Sequence, residues 1–375
     1  MNQVRTVLAI QVLHSSVSGI LTVAIPLMMK EKNITIIEMG LVVASLPLIM
    51  QFSRMLFAIV SDYWGRKPFF VSNGILGVLS CLIYYGAYLP VQFLSGKIVE
   101  GVREGTIWAV NRPFLLERSG GHWRILVHLR TVLYISFAAG SLLAGFLIVW
   151  FFYEGTMLFC ALIGVLVTLL SLLLKGEKRR SFTFKRALPS LDFRKKTRIF
   201  NMFLILYLVL GVSYGFRSMI IVTLFLDNHG FATEPIGVIL GVQLFLAGLF
   251  SYLFSKSKRM EMLILFSGIS FAVIFSLLGF LDPFFAVVLL IVYGVIEGVT
   301  SIGQEGILAR ISDKSSYGAD IGLLMMGLHI GETISLALSG FLVSLWGYTA
   351  TFLMAAMTYA IFSVASYVIL VRWEH

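Results

Sequence analysis

Charge is what this chain has least of. Only 13% of its 375 residues are Asp, Glu, Lys or Arg, against about 25% in ordinary soluble domains. A water-facing surface cannot be assembled from that inventory, and the mean hydropathy of +0.93 points the same way. Acids are scarcer than bases, 19 against 29. Cysteine is nearly absent. Cys81 and Cys160 each lie inside an apolar run, which leaves neither a disulfide framework nor a metal-ligand spacing. A phosphate-cradling ATP loop, a sodium signature and a pore-filter repeat are also missing. The net charge of +10 would suggest nucleic acid in a soluble chain, but no soluble module is present to bind it.

What the chain does have is apolar length. About 20 apolar residues cross the hydrocarbon core as a helix, and lipid tolerates only helices or closed barrels. The runs here are continuous rather than alternating, so helices are expected. Twelve spans are predicted, near residues 6–29, 36–60, 69–89, 91–112, 129–151, 155–174, 199–226, 235–254, 262–281, 284–308, 321–345 and 349–371. Pro68, Pro90, Pro235 and Pro283 punctuate connections, whereas Pro26 and Pro47 fall inside spans. The first run is longer than a signal-peptide core and lacks a small-residue cleavage site, so it is expected to remain as a span.

The bases orient these spans. With the N-terminus inside, only Lys30 and Lys32 fall in outer connections. Arg54, Lys97, Arg103 and Arg217 fall well within spans, and every other lysine and arginine lies on the inner side, Arg112 and Arg130 at the inner ends of their spans. Cytoplasmic connections collect bases, so both termini are expected in the cytoplasm, in a multi-pass protein of the cytoplasmic membrane. Tyr88, Trp150, Trp346 and Trp373 near span ends read as interfacial belts. Ten bases crowd the stretch from Lys175 to Arg198, the expected linker (175–198) between six-helix halves at 1–174 and 199–375. The halves repeat weakly. Ile98-Val99-Glu100-Gly101-Val102 matches Val295-Ile296-Glu297-Gly298-Val299, Gly40 matches Gly237, and Gly145-Phe146-Leu147 matches Gly340-Phe341-Leu342, all at nearly one offset. Duplicated halves of this kind occur in transporters.

Between the second and third runs lies Ala58-Ile59-Val60-Ser61-Asp62-Tyr63-Trp64-Gly65-Arg66-Lys67-Pro68, a tight charged connection. It resembles the loop signature of the major facilitator superfamily of secondary transporters, G-x-L-a-D-r-x-G-r-k, with Asp62, Gly65, Arg66 and Lys67 at the matching positions. Lys97-x-x-Glu100-Gly101 is similar to that family's fourth-helix R-x-x-q-G run. Gly140-Ser141-Leu142-Leu143-Ala144-Gly145 is similar to its antiporter signature G-P-x-x-G-G. The resemblance implies an all-α membrane protein whose twelve helices form two pseudo-symmetric six-helix bundles. It also implies a central cavity lined by spans 1, 4, 7 and 10, and a conformational clamp of Asp62, Gly65, Arg66 and Lys67, with Arg54 as partner and the start of span 11, near Asp320, as the helix capped.

Chemistry is sought in charges buried among apolar residues, which are costly at midplane and mark function. Lys97, Glu100, Arg103 and Glu104 occupy span 4 at helical spacing, so that Glu100 can pair with Arg103, or Glu104 with Lys97. Glu297, Arg217 and His14 (with Gln11, Ser15 and Ser18) are the other cavity candidates. His329 and Glu332 on span 11 are secondary ones. The competing reading of span 4 is a structural ion-pair network, and Glu38 and Glu305 near span ends read as solvated. The expected function is secondary transport of a small organic solute by alternating access, coupled to protons, with uptake of a polar or anionic solute ahead of proton-driven efflux of amphipathic compounds. A lipid-acting membrane enzyme is the remote alternative. Substrate, protons and lipids are the expected partners of a monomer. No nucleic acid, metal or cofactor is expected.

Overall fold

A computed structural model describes residues 3–118, 124–176, 196–257, 259–312 and 317–374, and no strand occurs among them. The basic linker falls mostly on 177–195, outside the described residues. Among the described residues eleven helical segments follow in order: α1 Gln3–Glu31, α2 Ile36–Trp64, α3 Lys67–Tyr85, α4 Pro90–Arg118, α5 Arg124–Leu172, α6 Arg198–Phe216, α7 Met219–Asn228, α8 Thr233–Phe254, α9 Met260–Leu278, α10 Pro283–Ile311 and α11 Tyr317–Glu374. Two of these are double. α5 reverses at Phe152 (φ 57°, ψ −179°), and α11 reverses at Gly347 (φ 75°, ψ 179°). α6 and α7 together make one crossing, broken at Arg217 and Ser218. The chain therefore crosses twelve times, as the apolar runs predict. The broken seventh crossing and the long extension of α4 to Arg118 are features the runs did not show.

Local chemistry starts and ends these helices. Thr35 and Glu38 form a reciprocal capping box at α2, so Glu38 is an N-terminal cap rather than merely a solvated charge. Asp282 caps α10 ahead of Pro283, and Ser218 accepts from the Ile221 amide to restart the seventh crossing. Gly65 turns the α2–α3 connection with φ 79°, a left-handed value that favours glycine.

The helices pack as two equivalent bundles. In the first, α1 packs on α5, α2 on α4, and α3 on both α4 and α5. In the second, α6 packs on α11, α8 on α10, and α9 on both α10 and α11. Across the divide, α2 meets α11 and α5 meets α8. Leu79, Leu82, Leu162, Leu166 and Leu173 stand on the outer faces, well exposed. In water such faces would be a defect; in hydrocarbon they are the solvated surface.

Glycine makes the two crossings close. A β-carbon on Gly40 would lie 3.4 Å from Gly340 Cα and 2.9 Å from Leu336 O. One on Gly237 would lie 3.4 Å from Gly145 Cα and 2.7 Å from Ser141 O. The two contacts are related by the sequence repeat, and both lie at the end of the molecule away from the termini. That end is shut at backbone level.

These contacts predict a graded response. Gly40→Ala and Gly237→Ala should each destabilise this closed arrangement by about 1–3 kcal/mol, the usual cost of overpacking. Gly86→Ala, where a β-carbon meets nothing within 4 Å, should leave it unchanged. Labelling of a reporter cysteine placed beside Gly340 should rise in the first two variants and stay at the parental rate in the third.

Candidate functional site

α4 alone among the long helices is too charged to count as an apolar span. It can sit in the bundle because its charges point inward to partners. Gly101 and Gly105 press against α2, which turns the neighbouring charged positions toward α1 and α3. Lys97, Glu100, Arg103 and Glu104 are all buried.

The pairing differs from the one expected from spacing. Lys97 Nζ donates to Glu100 Oε2 at 2.8 Å, and Tyr84 OH donates to the same oxygen at 2.6 Å. Arg103 Nη2 donates to Glu104 Oε1 at 2.8 Å. Each base has taken the acid that its rotamer reaches, because the two acids face different helices: Glu100 toward α3 and Glu104 toward α1. They do not form a like-charge pair.

Glu104 is the centre of the larger cluster. Ser18 Oγ donates to its Oε1 at 2.7 Å, and Trp108 Nε1 donates to its Oε2 at 3.2 Å. His14 Nε2 lies 3.1 Å from Oε2. The other ring nitrogen of His14, Nδ1, lies 3.1 Å from Asn73 Oδ1. Asn73 settles the protons here. Its Nδ2 donates to Arg103 O at 2.8 Å and to Thr106 Oγ1 at 3.1 Å, so its Oδ1 must accept from His14. His14 Nδ1 therefore carries a hydrogen. The Nε2 contact with a carboxylate oxygen then needs a further proton, held by the imidazole or by Glu104, since two acceptors do not attract. A cavity of about 10 Å³, the size of about one water, adjoins His14, Asn73 and Arg103.

The second bundle holds its own buried pair. Arg217, at the break between α6 and α7, reaches Glu297 Oε2 at 3.6 Å and donates to Tyr293 OH. Its guanidinium lies 4.1 Å from the Tyr214 ring centre and 5.4 Å from those of Phe271 and Tyr293, within cation–π range. Arg217 is thus not a lone cation: its acid comes from α10. His329 Nδ1 meets Glu332 Oε2 at 2.9 Å on α11.

At the end bearing the termini the bundles touch through long side chains. Arg112 Nη2 and Arg130 Nη1 both donate to Glu305 Oε1, at 3.1 and 2.9 Å. Gln51 Nε2 donates to Gly322 O at 3.2 Å. Glu305 is therefore an inter-bundle acceptor, not a merely solvated acid. Arg54 lies in electrostatic range of Arg112 and Glu305, which places it at this mouth. In the α2–α3 connection, Arg66 donates to Glu117 at 2.6 Å and Lys67 to Leu172 O at 2.7 Å. The side chain of Asp62 lies outside the described residues. Asp320, at the start of α11, accepts from Lys196 at 2.5 Å.

Several of these partners escaped the sequence reading. Asn73 and Tyr84 are polar groups in apolar runs, a weak signal that was available. Arg112 and Arg130 counted only as topology-setting charges.

The chain matches the Major Facilitator Superfamily profile over residues 7–305. It belongs to that superfamily. It is a multi-pass membrane transporter of small solutes, not an enzyme. The transporter is 20% identical over 350 residues to an uncharacterized MFS-type transporter of Methanocaldococcus jannaschii, with 89% of each chain covered. Its fold is similar to that of the nucleoside transporter NupG, with a TM-score of 0.75 at 17% identity and 99% of each chain covered. A mutant form of NupG gives 0.78 at 16% identity, covering 98% of this chain and all of the other.

The buried pair on α4 makes a stability prediction. Arg103→Leu strands the Glu104 carboxylate in the interior and should cost about 3–5 kcal/mol, whereas Arg103→Leu with Glu104→Leu should recover most of the loss. Thermal unfolding of the purified transporter in detergent reads the difference. A double variant less stable than the single would show that the pair is not the stabilising unit.

Proposed function

We propose that this transporter couples a proton to movement of a small polar or anionic solute by alternating access, in the cytoplasmic membrane with both termini in the cytoplasm. The observation that carries the coupling is the His14–Glu104 contact, which the Asn73 hydrogen bonds oblige to hold one proton more than a neutral histidine and a carboxylate supply. Losing that proton sets two acceptors 3.1 Å apart, so deprotonation pushes α1 from α4. One proton thereby biases two packings of the same helices, and a differential of this kind shifts a conformational equilibrium.

The solute path runs between the bundles, whose halves are taken as 1–174 and 199–375 with the basic linker between. Arg217 and Glu297 stand on the second bundle's side of it, with Lys97, Glu100 and Arg103 buried on the other. Arg217 carries a planar fork that suits a carboxylate. His329 and Glu332 are kept as secondary groups. Asp62, Gly65, Arg66 and Lys67 are proposed as the clamp, supported by the Arg66 and Lys67 bonds to α4 and α5. Efflux of amphipathic compounds is the competing reading. It rests on residues 140–145, whose end glycines press on α1 and α8.

The test is transport in proteoliposomes with a panel of organic acids, sugars and nucleosides, the last on the strength of fold likeness to NupG alone. In Glu104→Gln and in His14→Leu, accumulation driven by a pH gradient should fall at least about tenfold while solute exchange at equal pH persists, the range of an ordinary coupling free energy. Gradient-driven accumulation retained in both variants would remove this pair from the coupling mechanism. Accumulation against an outward, rather than inward, proton gradient would favour efflux.

A further inference from the structure

The mouth between the bundles is over-supplied with positive charge. Arg54 from α2, Arg112 from α4 and Arg130 from α5 all belong to the first bundle, and among the described residues the acid beside them is Glu305 of α10. Both bonds go to the same oxygen, Glu305 Oε1. The donors exceed what one carboxylate can take. Each guanidinium offers five N–H groups; Arg130 Nε is buried with no partner, and no hydrogen bond or ion pair within 4 Å engages Arg54 among the described residues. Two of the three guanidinia lie over rings, Arg112 over Trp108 at 5.7 Å and Arg130 over Tyr134 at 5.3 Å, and Arg130 Nη2 also donates to Tyr134 OH at 3.3 Å. The side chains of Arg112 and Arg130 remain 22% and 26% exposed, so a solute can reach them.

We propose that Arg54, Arg112 and Arg130 form a docking site for the oxyanion group, carboxylate or phosphate, of a soluble anionic solute, and that Glu305 is its built-in competitor. The proposal rests on the reading that solute passes between the bundles. Glu305 already shows the geometry: one carboxylate oxygen bridges two guanidinia. A free anion on the same donors replaces one negative charge with another and leaves no additional charge buried. Because Glu305 belongs to the other bundle, the exchange also removes the ion pairs that hold this end together. At the opposite end backbone meets backbone through glycine, in addition to the Lys30–Asp227 ion pair, so the arginine mouth is the end that a ligand of ordinary affinity can open. The anion binds the open mouth better than the bridged one, which is what makes it a driver of opening.

The experiment uses the full-length transporter in a neutral maltoside, without a pH gradient, titrated with inorganic phosphate at ionic strength held constant with chloride. Constant ionic strength matters because salt alone screens exposed pairs. The readouts are the thermal unfolding midpoint and the rate of labelling of a cysteine introduced beside Gly322. Saturable phosphate binding is expected in the wild type. Glu305→Gln should tighten it by about tenfold, a coupling of about 1.4 kcal/mol, while Arg112→Gln and Arg130→Gln should weaken it. Where Glu305→Gln does not yield folded protein, Glu305→Asp, with its shorter reach, should shift affinity in the same direction. Equal affinity in wild type and the Glu305 variants overturns the competitor role. Absence of any saturable phosphate effect overturns the site. The titration is repeated in nanodiscs containing phosphatidylglycerol; loss of the phosphate effect there assigns the arginines to lipid headgroups and overturns the solute assignment. Phosphate binding needs no coupled proton, so failure of the His14–Glu104 coupling leaves these outcomes unchanged.

Discussion

A guanidinium and a carboxylate 2.8 Å apart inside an apolar bundle, Arg103 and Glu104, set the terms for the rest of the first half. Neither charge can be left without partners at that depth, since an isolated ion there costs several kcal/mol. Ser18 and His14 on α1, Asn73 on α3 and Trp108 on α4 are the groups that satisfy them. Three helices are held in one register by one ion pair. The Asn73 acceptor in turn asks for a hydrogen on His14 Nδ1, which leaves Nε2 facing Glu104.

α4 then links depth to mouth. Glu100, Glu104, Trp108 and Arg112 follow one another a turn apart. Trp108 touches Glu104 through its indole nitrogen and lies under the Arg112 guanidinium. Arg112 in turn holds Glu305 across the divide. A continuous set of contacts therefore joins the His14–Glu104 cluster to the inter-bundle bridge along one helix. The two ends of the molecule differ in kind. One is sealed by glycine against backbone, a contact that parts only when whole helices move, with the Lys30–Asp227 ion pair beside it. The other is bridged by arginine and glutamate, which part by changing rotamer. A carrier with one rigid seal and one side-chain bridge has its easier opening at the end that bears the termini.

Much of the architecture followed from composition and run length. In hydrocarbon the backbone must bond to itself, so each apolar run of sufficient length becomes a helix, and twelve runs become twelve crossings. The repeat was also legible: Gly40 with Gly237, and Gly145 with Gly340, were visible as matched residues before their contacts were known. The buried charges could be named as well, because ionisable groups inside apolar runs stand out wherever they occur.

What the chain alone could not decide was partnership. Helical spacing allowed Glu100 with Arg103, yet the structure pairs Lys97 with Glu100 and Arg103 with Glu104, since tight glycine contacts of α4 with α2 rotate the acids toward different neighbours. Arg217 had no acid on its own helix and found one on α10. Arg112, Arg130 and Glu305 looked like a topology signal and a wetted end; they became a bridge only when α4, α5 and α10 converged. Hydropathy acts on each run by itself, so one dimension of sequence is enough to determine the crossings. Pairing depends on rotamers and on helices brought together from far along the chain, 193 residues apart for Arg112 and Glu305, and only the tertiary packing sets those distances.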